Sequence, residues 1–127
     1  MSSRPFRFGV SLFAGGSSAA WQSKVQRAAD LGYDIVQVPD HLGLAAPFPA
    51  LVSAASVPVP RLGTFVLNAG FYRPALLARD VAETSRLLEG RLELGLGTGY
   101  NAAEFEAAGL PFGSAGMRID HLEHTIA

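Results

Sequence analysis

The chain has 127 residues, 49% of them hydrophobic and 17% charged, and a formal net charge of −1. That length holds one modest domain with a real core, and the composition excludes a disordered polymer. The charge balance gives no basic surplus for nucleic acid or an anionic membrane surface, and the lack of cysteine excludes disulfide staples and thiolate metal sites. Residues 1–127 therefore read as a single domain, with a cytoplasmic setting expected.

Phe6, Phe8, Val10 and Leu12 alternate with other residues, which predicts a strand over 6–12. Arg4 and Arg7 precede this run as basic residues precede a secretion signal, but the run is too short and no small-residue cleavage site follows. Gly15 to Ser18 form a turn, and either serine can cap the helix that Trp21, Val25, Ala28 or Ala29, and Leu31 mark at helical spacing. Gly32 stops it. Tyr33 to Val38 predicts a second strand, ended by Pro39. Leu42 to Pro60 is weakly polar, but Pro47, Pro49, Pro58 and Pro60 exclude a membrane span. A short helix is expected over Leu51 to Ala55, leaving little room for a full one before strand 3.

Leu62 to Leu67 predicts a third strand, nearly continuous in apolar residues and so covered on both faces. Pro74 suits the first turn of a helix whose face carries Leu77, Val81, Thr84 and Leu88. Arg91 to Gly95 predicts a fourth strand. A glycine-rich loop follows, then a helix starting near Ser114, with Ile119, Leu122 and Ile126 as its buried side. Strand starts near residues 6, 33, 61 and 91 give a βα unit about every thirty residues, which points to a parallel α/β sheet. Spacing alone does not separate an open doubly wound sheet from a barrel segment.

In either fold, ligands bind where strands end. The candidate segments are Phe13 to Ser17, Pro39-Asp40-His41, Asn68 to Arg73, and Gly97 to Glu104. His41 can move a proton near neutral pH, and Asp40 can orient it. Against this stands a loop-capping aspartate beside a surface histidine. The run from Leu92 to Gly99 is dense in glycine, which lets a backbone approach a phosphate or a flat ring. Tyr100 occupies the place of a third glycine, so the dinucleotide fingerprint fails. The run is similar to the first motif of S-adenosylmethionine-dependent methyltransferases, although that motif belongs on a fold's first strand and three βα units precede it here. Arg73, next to Tyr72 and before a helix, could meet a phosphate or an acidic substrate. Trp21 and Phe48 read as core. His121 and His124 lie three apart on the last helix, with no third ligand by spacing, so they read as a solvated face and no metal site is expected.

Three stretches then carry a more specific signal: Arg61 to Ala69, Arg73 to Arg79, and Gly90 to Gly99, followed by Glu104 to Phe112 and Arg118. Together they resemble the luciferase-like monooxygenase superfamily, and within it the deazaflavin-dependent oxidoreductases. The likeness is collinear over essentially the whole chain. It implies an α/β fold of four parallel βα units, the N-terminal half of a bacterial-luciferase-like TIM barrel, since a full barrel needs about 250 residues. It implies hydride transfer between coenzyme F-420 (a deazaflavin) and a small organic substrate, with flavin mononucleotide (FMN) as the second choice of cofactor. His41 would face the ring and substrate. Asp40, Phe65, Val66, Asn68, Gly97, Thr98, Gly99 and Tyr100 would hold the ring, with a non-prolyl cis peptide at Phe65–Val66 and Asn68 at the ring's pyrimidine edge. Tyr100 stands where some deazaflavin dehydrogenases carry an acidic glutamate, so that proton donor is missing.

A half barrel cannot close on itself. Its first and fourth strands would be open edges, and Val10, Leu12, Val36, Val38, Val66, Leu67 and Leu94 are expected on an uncovered inner face. A homodimer, or pairing with a separate C-terminal-half chain, is the expected remedy. A non-catalytic half-barrel that serves as a binding or assembly module is the alternative reading.

Overall fold

The computed structural model describes residues 3–127. Four parallel strands form one sheet in the order β1-β2-β3-β4. They are β1 (Gly9–Ser11), β2 (Ile35–Val38), β3 (Arg61–Asn68) and β4 (Leu92–Gly97). The helices are α1 (Ser18–Asp30), α2 (Pro47–Ser53), α3 (Pro74–Leu87), α4 (Ala102–Ala107) and α5 (Ala115–Ile126), with a 3-10 turn at Ala69–Phe71. Sequence neighbours are sheet neighbours throughout. The sheet thus has no reversal point of the kind a doubly wound nucleotide fold uses, and this topology is that of a barrel segment.

Local chemistry explains most element ends. Ser17 caps α1 by accepting from the Ala20 N–H at 3.1 Å, and Ser114 caps α5 by accepting from Met117 N–H at 3.2 Å. Helix α2 begins four residues earlier than the apolar pattern suggests, because Pro47 fits the first helical turn, where no N–H is needed. Strand β1 is shorter than the alternation predicts. Phe6 and Phe8 are 90% and 66% exposed, and Phe8 reaches across through its backbone, its carbonyl accepting from the Asp34 N–H at 2.8 Å and its N–H donating to the Asp34 carboxylate at 2.8 Å.

The core lies between the sheet and its helices. Trp21, Val25 and Ala28 of α1 pack with Val36, Val38, Leu51, Ala54, Leu62 and Leu88, and Val10 and Leu12 lean on the same cluster. The Trp21 indole N–H donates to the Ala50 carbonyl at 2.8 Å, tying α1 to α2. Arg91 closes the loop before β3 by donating to the carbonyls of Ala55, Val57 and Val59.

This core corrects the expected inner face. Val10, Leu12, Val36 and Val38 point to the helices, and Leu67 is fully buried. Leu94 shares the parity of Leu92, which also packs on the helix-side cluster. Of the seven residues, Val66 alone is open, at 41% exposure. The opposite parity carries chiefly small and polar residues, Ser11, Gln37, Gly63, Glu93 and Gly95, with Ile35 as a buried apolar exception. Glu93 pairs there with Arg7 and lies 3.8 Å from Arg61. Alternation runs at period two, so a strand's apolar set commits to one face only, and here the helices take it.

Helix α5 is also turned differently. Ile119 and Ile126 are 50% and 66% exposed, whereas Arg118, His121, Leu122 and Thr125 face the protein. His121 is therefore not solvated. Its Nε2 lies 2.9 Å from the Ala69 carbonyl and 3.1 Å from that of Tyr72, pinning the turn after β3, while His124 stays exposed.

Candidate functional site

Three loops and one short helix converge at the C-terminal edge of the sheet. Pro39 lacks an N–H and ends β2, so the chain leaves the ladder with Asp40 and His41 at its tip. The Asp40 carboxylate accepts from the Asn68 N–H at 2.9 Å, joining the end of β2 to the end of β3. Burial pushes this carboxyl above its ordinary range. The Asn68 hydrogen bond and the neighbouring His41 pull the other way.

His41 is held from α4. Its Nδ1 lies 3.0 Å and 3.2 Å from the two Glu104 carboxylate oxygens, and the Leu42 N–H donates to the same group at 2.7 Å. The hydrogen bond from His41 keeps the Glu104 carboxyl below its usual range, so it is ionised and can only accept. Nδ1 must therefore carry the proton, which leaves Nε2 as the exchangeable position. Among the described residues Nε2 has no hydrogen-bond partner. Tyr100 meets the imidazole edge-on, with ring centroids 5.9 Å apart.

The floor comes from β3 and β4. The Phe65–Val66 peptide is cis and non-prolyl. The β3–β4 register shifts between Thr64 and Leu67, and Phe65 stands 62% exposed in the opening. Thr64 spans the irregularity: its hydroxyl donates to the Gly95 carbonyl at 2.8 Å and accepts from the Gly95 N–H at 3.0 Å. Gly97 and Gly99 are dictated by proximity. A Cβ on Gly97 would sit 2.6 Å from Val66 Cγ2, and one on Gly99 would sit 2.6 Å from Asn68 Oδ1. Asn68 Oδ1 accepts from the Gly70 N–H at 3.0 Å, and its amide nitrogen has no partner among the described residues.

Asp40, His41, Phe65, Val66, Asn68, Gly97, Thr98, Gly99 and Tyr100, the residues singled out from the sequence, all line this one cleft of about 390 Å³. That volume is in the range of small-ligand sites. Glu104 lines it too, and sequence reasoning gave it no role. The available signal was Asn101-Ala102-Ala103-Glu104, the spacing of a capping box that starts a helix. Asn101 does cap α4, accepting from the Ala103 N–H at 3.1 Å, and that helix was not anticipated. Among the described residues no group of three His, Cys, Asp or Glu side chains could hold a metal ion, and no helix is long and apolar enough to cross a membrane.

Comparison with known proteins gives the same direction. The profile of the family described as luciferase-like monooxygenase matches residues 4–122. An F-420-dependent glucose-6-phosphate dehydrogenase of Kribbella flavida is 39% identical over 93 residues, covering 65% of this chain and 28% of that protein. The coenzyme F-420-dependent tetrahydromethanopterin reductase of Methanopyrus kandleri superposes with a TM-score of 0.72 at 26% identity, over 84% of this chain and 30% of that one. The oxygenating constituent of the 3,6-diketocamphane monooxygenase of Pseudomonas putida, solved with FMN, has a TM-score of 0.77 at 20% identity, over 94% of this chain and 37% of that one. The last shows likeness of fold. The chain spans between 21% and 28% of the length of the curated relatives it matches.

Proposed function

This chain belongs to the luciferase-like monooxygenase family, and from that premise we propose that it binds a deazaflavin ring at the ends of β2, β3 and β4 and serves hydride transfer between that ring and a small organic substrate. One observation carries the reading: nine residues from the ends of β2, β3 and β4 and the loops after them gather at a single cleft, where a histidine nitrogen with no partner among the described residues stands beside an exposed apolar floor. Coenzyme F-420 is preferred to FMN because a dehydrogenase at 39% identity and a reductase at 26% identity carry it in their names. FMN is the second choice, supported by the fold likeness to an FMN-bound monooxygenase.

The residues fit such a group. Phe65 and Val66 offer an exposed apolar surface for a flat ring, and the Asn68 amide nitrogen offers a donor to a polar ring edge. When bound, a deazaflavin supplies the carbon that gives or takes the hydride. His41 then holds or moves the accompanying proton at Nε2, with Nδ1–H fixed on Glu104. Asp40 keeps His41 next to Asn68 by its bond to the Asn68 N–H.

A fluorescence titration with coenzyme F-420 tests this. Quenching that saturates, with a Kd of roughly 10 μM to 1 mM for ring contacts alone, is expected. FMN should bind more weakly. His41→Ala should abolish turnover wherever turnover is seen, with the melting temperature nearly unchanged. No binding at millimolar chain, or an early-melting variant with turnover intact, would overturn the assignment.

A further inference from the structure

A second, larger cavity of about 630 Å³ adjoins the ring cleft and shares Thr98 with it. It lies between the turn after β3, the start of α3, and the segment from α4 to α5. Its floor is aromatic: Phe105 stands between Phe71 and Phe112, with ring centroids 5.3 Å and 5.1 Å away. Met117, 63% exposed, extends the apolar wall to the rim.

Charge in this cavity is one-sided. Arg73, Arg79 and Arg118 line it against the single carboxylate of Asp80, and Asp80 is taken by Arg79 at 3.0 Å. That leaves Arg73 and Arg118 with no carboxylate partner among the described residues. The Arg118 guanidinium carbon sits over the Phe112 ring, 3.9 Å from its centroid, and Nη1 donates to the Gly113 carbonyl at 3.0 Å. Its Nε is covered and has no hydrogen-bond partner among the described residues. A guanidinium held over a ring and only partly satisfied is a preformed receptor for an anion. Tyr72 adds a donor, since burial pushes its phenol up to about 12 and keeps the proton on.

We propose that this cavity is a binding site for an amphipathic anion, an aromatic or branched apolar body with one carboxylate or phosphate head that Arg73 and Arg118 receive. The proposal deepens the functional reading by naming the class of substrate that would reach the ring cleft past Thr98. The cavity's own chemistry also stands without the ring.

A heteronuclear NMR titration of the whole chain, with no cofactor present, separates the two. The probes are 4-phenylbutyrate, phenyl phosphate and the neutral 4-phenylbutanol. The acids should shift and saturate amides around Phe71, Phe112 and Met117, and the alcohol should bind at least about tenfold more weakly, a difference of about 1.4 kcal/mol. Arg73→Gln, at an exposed position with no side-chain partner among the described residues, should weaken the acids about fivefold or more and leave the alcohol unchanged. Arg118→Gln should do the same if it folds. Stronger binding by one acid identifies the head group. Equal binding of acid and alcohol, shifts confined to the ring cleft, or no effect of Arg73→Gln would overturn the proposal. Acid binding without any coenzyme F-420 binding would sink the ring assignment and leave this site standing.

Discussion

Gly99→Ala is the sharpest test of how the cleft is built. Gly99 has φ +74°, and so has a close counterpart in Gly109, with φ +69°. For an L-residue the left-handed conformation costs roughly 1–2 kcal/mol at either position. At Gly109 nothing lies within 4 Å of an added Cβ, so the backbone cost is the whole effect. At Gly99 the same Cβ would stand 2.6 Å from Asn68 Oδ1, 2.7 Å from its Nδ2 and 2.8 Å from Phe105 Cε2. Asn68 is 8% exposed and Phe105 2% exposed, so neither can swing into solvent. Forcing an extra carbon into such packing costs about 1–3 kcal/mol more. We expect Gly99→Ala to lose about 2–5 kcal/mol and Gly109→Ala about 1–2 kcal/mol, both read from urea midpoints at unchanged slope. Coenzyme F-420 binding should fall with Gly99→Ala and survive Gly109→Ala, because Asn68 is the residue displaced. Losses that agree within about 0.5 kcal/mol would refute the packing account of Gly99.

Three further outcomes are expected. Arg91→Gln should destabilise by about 2–4 kcal/mol in the same urea assay, since the carbonyls of Ala55, Val57 and Val59 lose their charged donor together; a loss under about 0.5 kcal/mol would show that the loop holds itself. Glu104→Gln should flatten the acid side of the stability curve. The native Glu104 carboxyl titrates below its ordinary value near 4.5, so its contribution is complete above that pH and fades as pH falls through the depressed native value. Parallel wild-type and variant melting curves below about pH 4.5 would contradict the grip on His41. Finally, β1 and β4 each pair on one side only, which predicts self-association through sheet edges. Light scattering at micromolar concentration should find a dimer, and a well-folded monomer would remove the case for edge pairing.

What the amino-acid order determined by itself was the succession of βα units and the strand-end residues that line the cleft. Glycine and proline mark the ends of segments, and strand-end loops are the places where an α/β fold leaves polar groups free, so Asp40, His41, Asn68 and Gly97 to Tyr100 stood out before any coordinates. Their collinear likeness to one family then said that they belong together. Tertiary structure alone decided which way faces turned. Val36 and Val38 could have lined an open barrel interior or packed on α1, and only the docking of Trp21 and Val25 chooses. Ile119 and Leu122 share a helix, yet the turn after β3 selects His121 as the contact, because the Ala69 and Tyr72 carbonyls both lie within reach of its Nε2. The partnership of Glu104 with His41 joins residues 63 apart in sequence. No local pattern encodes such a pairing: it exists because β2 ends and α4 begins at the same edge of one sheet, and proximity across a fold has no signature along the chain.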